Sequence, residues 1–266
     1  MSGASGSPVV AQDGRVLRCR VTAGKAGALD RGALSEVAEA LRGLGTTEEA
    51  AERGVGAVQL AHDGGNFCAG GDVRSFAAAE DRGAFVREVA DHFHEMLEAY
   101  VRCAVPTVAG VQGWAAGAGM SLVLATDVVV VGASTRIRPA YPAIGFSPDG
   151  GMSWTLPRIV GLARARHILL TDQVLGAEDM LSLGIASMLV ADTELTAEAE
   201  ATAYRLAQGP SAALGRIKRL LAGTFDHDLR THLDAEAASI SASAAGPEGA
   251  EGLTAFGEKR PPRFHG

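Results

Sequence analysis

Apolar positions recur along this chain first with period two and then with the period of a helix. Leu17, Cys19 and Val21 alternate with Arg18, Arg20 and Thr22, the pattern of a strand with one face in a core. Leu34, Val37, Ala38 and Leu41 fall at i, i+3, i+4 and i+7, one face of a helix. Gly43-Leu44-Gly45 ends it. Residues 46–54 read as a solvated loop, and Val55 to Leu60 as a second strand. A polar, glycine-rich stretch runs from His62 to Asp72, followed by helical spacing from about Gly83 to Tyr100. Pro106 opens a strand at Thr107–Val111. Gly113 to Gly119 is a Gly/Ala loop leading into a short apolar helix from Met120 to Ala125, and Val128–Val131 reads as a buried strand.

Residues 139–151 are turn-rich, and helices then dominate at about 152–170, 177–183, 196–207, 211–222, 229–244 and 248–258. Gly209-Pro210-Ser211 breaks and restarts the helix, with Ser211 a candidate N-cap. The expectation is an α/β protein: a flexible N-terminus over 1–13, a core over 14–205 and a helical C-terminal region over 206–266.

Composition narrows the function classes. Of 266 residues, 47% are apolar, enough for a sizeable core, and only 5% are aromatic. The net charge of −7 argues against a nucleic-acid binder, which needs a basic footprint. Cys19, Cys68 and Cys103 form no CxxC pair and read as reduced, buried thiols. No apolar run is long enough for a membrane span, and the start lacks the basic segment and apolar run of a signal peptide. A cytoplasmic protein is expected. His92 and His94, two apart on a helix, point to different faces, so no metal site is expected; both read as solvated.

Two loops carry the candidate chemistry: Asn66-Phe-Cys-Ala-Gly-Gly-Asp72 and Gly113-Trp-Ala-Ala-Gly-Ala-Gly-Met120. Each follows a predicted strand and precedes a predicted helix. Small residues let backbone approach a ligand closely, and helix N-termini present unpaired N–H groups. Two such ends facing each other would hold a developing oxyanion. Neither loop has the Gly-Lys-Ser/Thr of a P-loop or a Gly-x-Gly-x-x-Gly spacing, which counts against nucleotide binding.

Together and in order, the two loops resemble the enoyl-CoA hydratase/isomerase (crotonase) family. Phe67-Cys-Ala-Gly-Gly-Asp72 is similar to its Phe-x-Ala-Gly-x-Asp signature. Pro106-Thr-Val-Ala-Gly-Val-Gln-Gly113, then Gly117-Ala-Gly119 and Asp127, resemble its second block. Ile144 to Gly151, Leu156 to Gly161, Gly184-Ile185 and Ala255 to Pro261 extend the likeness over nearly the whole chain. The resemblance implies a spiral of ββα repeats with a helical C-terminal trimerisation region, as a homotrimer or a dimer of trimers. It implies an acyl-CoA substrate whose coenzyme A is part of the thioester, with no tightly bound cofactor. The implied oxyanion donors are the N–H groups of Gly71 and Ala118, where Ala118 replaces a family glycine and must keep negative φ. Implied CoA contacts are Lys25, Ala26 and Ala28, then Ala69, Gly70, Gly71, Asp72 and Val73. Phe256 and Lys259 resemble C-terminal residues that meet adenine and phosphate, here or on a neighbouring subunit. Asp72 also reads as a helix cap.

Both family glutamates are missing. Ser121 stands at the first position and cannot act as a carboxylate base; Ala140-Tyr141 is the nearest match to the second. Asp149, in Ser147-Pro-Asp-Gly-Gly151, is either a turn residue or the acid/base, and resembles the aspartate of isomerase-like and dehalogenase-like members. With Asp149 catalytic, the expected reaction is isomerisation of an enoyl-CoA, as a double-bond shift or an arylacetyl-CoA epoxide rearrangement. Attack by Asp149 as a nucleophile ranks lower. The alternatives are hydration or thioester hydrolysis, and a non-catalytic acyl-CoA-binding oligomer. Trp114 and Trp154 fit an acyl pocket or the core, and Tyr141 can sit beside the acyl chain.

Overall fold

The computed structural model describes residues 8–23 and 27–265. Period-two alternation becomes β1 (Val10–Asp13) and β2 (Val16–Cys19), an antiparallel hairpin. Residues 10–13, expected to be loosely ordered, are therefore a paired edge strand. β3 (Thr22–Ala23) and β4 (Ala28–Leu29) form a second small hairpin. α1 (Arg31–Arg42) starts where the Asp30 carboxylate accepts the Ala33 N–H at 2.8 Å, and it buries the stripe Leu34, Val37, Ala38 and Leu41. Residues 46–54 are not a loop: α2 (Thr47–Glu52) forms there. The Glu49 N–H donates to the Thr46 hydroxyl at 3.1 Å and the Thr46 N–H donates to the Glu49 carboxylate at 3.0 Å, a reciprocal cap.

The next segments are β5 (Ala57–Leu60), α3 (Val73–Ala78), α4 (Arg82–Arg102), β6 (Thr107–Val111), β7 (Trp114–Ala116), α5 (Ala118–Leu124), β8 (Val128–Gly132) and β9 (Arg136–Arg138). Then come α6 (Met152–Val160), α7 (Leu162–Leu170), β10 (Leu175–Gly176), α8 (Ala177–Ser182), β11 (Met188–Val190), α9 (Leu195–Gln208), α10 (Ser211–Ala222), α11 (Leu229–Ala245) and α12 (Pro247–Glu258). Part of the expected Gly/Ala loop is thus β7. The expected helix over 152–170 is broken at Gly161, whose φ of +79° and ψ of 153° no helix accommodates. Ser211 is the first residue of α10 rather than its cap. The free N–H groups of Ala212 and Ala213 donate instead to Glu248 of α12, at 3.1 and 3.2 Å.

The main sheet has six strands in the order β1-β2-β5-β6-β8-β11, parallel from β2 onward. A smaller sheet runs β10-β9-β7. In β6-β7-α5 and in β8-β9-α6 the chain lays one strand in the main sheet, one in the smaller sheet, and then a helix. That is the ββα spiral implied by the resemblance. One face of the main sheet joins the principal core with α1, α4 and α5, where Tyr100, Phe93, Met96, Met120 and Leu122 are buried. The other face, through Val16, Ala57 and Val108, meets Ala203 and Ala207 of α9.

A half-buried cation ties α10 to this core. Lys218 Nζ pairs with Asp127 Oδ2 at 2.8 Å and donates to the Val105 carbonyl at 3.3 Å. The same Asp127 oxygen accepts from the Thr107 N–H at 2.8 Å and the Thr107 hydroxyl at 2.9 Å. One carboxylate thus joins β6, the turn before β8, and α10. Farther along, α11 buries none of its residues and exposes Leu229, Leu233 and Ile240. No helix among the described residues is long and apolar enough to cross a membrane.

Removing the cation leaves Asp127 with part of its charge uncompensated. Lys218→Ala is expected to cost about 2 kcal/mol of stability, and roughly 5 °C in thermal midpoint by calorimetry.

Candidate active site

The two glycine-rich loops lie side by side. The Phe67 N–H donates to the Gln112 carbonyl at 2.8 Å, and the Cys68 N–H to the Trp114 carbonyl at 3.2 Å. The Ala116 N–H donates back to the Cys68 carbonyl at 2.9 Å. On the other side, the Leu29 N–H donates to the Gly70 carbonyl at 2.9 Å, which brings β4 and Ala28 against the first loop. At Gly70 the chain turns with φ of +87°, and a side-chain carbon there would come within 2.9 Å of the Ala116 carbonyl oxygen. Only glycine fits this approach.

The turn frees two N–H groups. Gly71 N–H donates to no other group among the described residues. Ala118 is the first residue of α5, where no carbonyl one turn earlier is available inside the helix. Positive φ in this loop falls on the glycines Gly113, at 60°, and Gly117, at 56°, and Ala118 is not among the residues of positive φ. The condition on replacing glycine by alanine at 118 is therefore met.

Gly70, Gly71 and Ala118 line a cavity of about 610 Å³. Its apolar wall includes Phe76, Phe93 and Phe146, and Asp149 and Tyr141 lie on it as well. Phe76 and Phe146 stand nearly parallel, with ring centroids 6.4 Å apart. Such a pocket, apolar with few converging polar groups, is the usual form of a small-molecule site. A second cavity of about 430 Å³ lies on the α9 side of the main sheet, lined by Arg18, Gln59, Gln112 and Glu200.

Asp149 opens into the first cavity with its side chain 32% exposed, not directed to bulk solvent away from Gly71 and Ala118. Its turn is fixed by packing. A side-chain carbon at Gly150, where φ is +60°, would come within 2.4 Å of the Phe93 ring and 2.9 Å of Ser121 Cβ. Ser121 is fully buried and does not line the cavity. Its hydroxyl donates to the Asp149 carbonyl at 3.0 Å, so it holds the turn from below. Tyr141 Oη donates to Asp149 Oδ1 at 2.5 Å. Burial pushes the Tyr141 phenol well above its ordinary range, and the Asp149 charge adds to the shift, so the phenol stays a proton donor.

His94 was read from sequence as a solvated residue and is instead a neighbour of Asp149. Its Nε2 accepts the Gly150 N–H at 3.0 Å and lies 3.6 Å from Asp149 Oδ2. Nothing local in the sequence marks His94, because its partner turn lies 56 positions away.

Other expected contacts divide. Ala69 and Val73 line the cavity with Gly70 and Gly71. Asp72 is the N-cap of α3, accepting from the Arg74 N–H and the Ser75 hydroxyl; the Ser75 bond and then the N–H bonds hold its carboxyl below the usual range. Lys25 and Ala26 lie outside the described residues. Phe256 and Lys259, at the end of α12, do not line the cavity within a single chain, and Phe256 is 85% exposed. Trp114 and Trp154 occupy neither the pocket nor the core: both are exposed, and Trp154 is covered by the Arg158 guanidinium at 3.6 Å. The three cysteines are free and buried, and burial pushes the Cys19 and Cys68 thiols up to about 12, which removes them as nucleophiles near neutral pH. No group of three or more metal-ligating side chains occurs among the described residues.

Comparison with known proteins agrees with this geometry. A family model described as enoyl-CoA hydratase/isomerase matches residues 22–266. A Rhodobacter capsulatus protein named "Probable enoyl-CoA hydratase" is 36% identical over 211 residues, covering 79% of this chain and 81% of that protein. The 1,2-epoxyphenylacetyl-CoA isomerase of Escherichia coli is 32% identical over 208 residues, covering 76% and 78%. The crystal structure of an enoyl-CoA hydratase from Polaromonas sp. JS666 superposes with a TM-score of 0.87 at 28% identity, over 96% of this chain and 98% of that one. With the paired loops, the ββα spiral and a match over nearly its full length, the chain belongs to the enoyl-CoA hydratase/isomerase family of acyl-CoA enzymes.

Proposed function

We propose that this enzyme is an enoyl-CoA isomerase in which Asp149 is the single acid/base and the N–H groups of Gly71 and Ala118 form the oxyanion hole. The observation that carries the reading is the shared cavity: one carboxylate and two free N–H groups open into the same apolar space, while the first family glutamate position is the buried Ser121. The thioester oxygen sits between the two donors, and coenzyme A enters and leaves as part of the substrate. Asp149 removes a proton from C2 of a 3-enoyl thioester, and the negative charge moves onto the held oxygen. The same proton returns at C4, and the double bond moves from C3–C4 to C2–C3. Atoms balance without water, which is why one base is sufficient. The three phenylalanines suit a flat or ring-bearing acyl group, and the Escherichia coli relative is named for an arylacetyl-CoA epoxide rearrangement.

His94 favours a second reading, hydration. Water addition needs a second acid/base, and His94 stands beside Asp149 and is open to solvent. Hydration takes up solvent oxygen; isomerisation does not.

The same reading extends to assembly. Leu229, Leu233 and Ile240 on α11 and Leu253 and Phe256 on α12 are exposed in the single chain. A homotrimer or dimer of trimers built on the region 206–266, beyond the 14–205 core, would cover them and could bring Phe256 and Lys259 to a neighbour's substrate.

The first test is conversion of a 3-enoyl-CoA, followed by absorbance of the conjugated thioester. Parent turnover and a loss of about 10²–10⁴-fold in Asp149→Asn are expected; activity surviving in the variant removes Asp149 as the base. Ala118→Pro suits the first position of a helix but deletes its N–H. It is expected to lose about 10²–10³-fold in kcat/KM, with the helical circular dichroism retained. In sedimentation, Leu233→Glu with Ile240→Glu is expected to shift the oligomer toward monomer, and an unchanged profile would rule out assembly through α11.

A further inference from the structure

The short segment before the Asp149 turn is held in an unusual way. Ala140 has φ of +65°, a conformation costly for a residue with a side chain. Its N–H donates to Asp172 Oδ1 at 2.7 Å, and Asp172, nearly buried, is paired through its other oxygen with the Arg138 guanidinium. The Arg138 side chain of β9 and Asp172 of the loop after α7 thus clamp the residue immediately before Tyr141. Such strain persists only where the surroundings over-determine it, and here the result is the placement of one side chain. The Tyr141 hydroxyl reaches Asp149 Oδ1 at 2.5 Å and lies 4.0 Å from where a side-chain carbon on Gly117 would stand. It therefore lies between the oxyanion loop and the carboxylate.

We propose that Tyr141 is a positioning residue for Asp149: its hydroxyl occupies Oδ1 and leaves Oδ2 as the oxygen that takes the substrate proton and returns it. This rests on the reading of Asp149 as the acid/base. The groups around the carboxylate are few. Tyr141 Oη faces Oδ1, His94 Nε2 from α4 faces Oδ2 at 3.6 Å, and the Ser121 hydroxyl from α5 donates to the Asp149 carbonyl rather than to its carboxylate. Among them, Tyr141 is the only one donating a proton to the carboxylate. A donor favours the ionised form. With Oδ1 held by the phenol, the carboxylate is fixed in one rotation and keeps Oδ2 for the substrate. Loss of the hydroxyl removes both the donor and the constraint on rotation.

The test is kcat and kcat/KM against pH for the parent, Tyr141→Phe and a protein with 3-fluorotyrosine at 141, with Asp149→Asn alongside. Phenylalanine keeps the ring and removes only the donor. The acid limb of kcat/KM is expected to move to higher pH by about one unit, and kcat near neutrality to fall about tenfold, with KM little changed. The more acidic fluorophenol is a stronger donor and is expected to move the limb to lower pH, which a residue that only fills space would not do. Parental profiles in both Tyr141 variants, with Asp149→Asn inactive, would overturn the role of Tyr141 alone. Full activity in Asp149→Asn would overturn the reading of Asp149 and this inference with it.

Discussion

The site depends on one backbone contact made without side chains. The loop after β5 and the loop after β6 approach until the Gly70 turn rests on the Ala116 carbonyl, and Gly119 packs on the Cys68 carbonyl at a distance no side chain would permit. Their N–H and C=O groups satisfy each other in a short parallel ladder, so neither loop leaves its polar backbone buried and unpaired. Two N–H groups remain over, at Gly71 and Ala118, and both lie at the cavity. The donors need no side chain to aim them, because the parallel strands β5 and β6 set their separation. That leaves the surrounding side chains free to vary while the electrostatic element of the site stays fixed.

Ser121 illustrates such variation. A buried hydroxyl at this position cannot remove a proton, but it donates to the main chain of the turn that carries Asp149. Gly150 lies against it and against Phe93 with no room for a side chain. At the position that resembles the family's first glutamate, the hydroxyl instead seats the turn that carries Asp149, and a longer side chain there would meet Gly150.

Much of this was legible in the sequence, and the rest was not for identifiable reasons. α1, α4, α9 and α11 each span several helical turns, so periodicity marked them within a few residues. β7, β9, β10 and β11 have two or three residues each, too few for a period, and exist because a neighbouring strand is present. α2 did carry a signal, Thr46 and Glu49 at capping-box spacing, but its composition is that of a loop. In the site, the loops and Asp149 stood out as motifs. Tyr141 stood out only as a substitution. His94 had no signal, since its role comes from a turn far along the chain, and its spacing to His92 pointed away from it.

The position of Asp149 sets the terms on which a proton can be kept. On one side are Phe93 and Phe146; on the other is His94, whose side chain is 48% exposed. In the proposed isomerisation, a proton passed from Oδ2 to the imidazole and on to water would not return to the substrate. The Gly150 N–H stands in that path. It already occupies the lone pair of His94 Nε2, so the imidazole can accept from Asp149 only by giving up a backbone hydrogen bond. The turn that presents the carboxylate therefore also engages the His94 ring, 56 positions away in sequence. His94 is thus tied to the turn of Asp149 through the main chain at 3.0 Å, closer than its approach to the carboxylate at 3.6 Å.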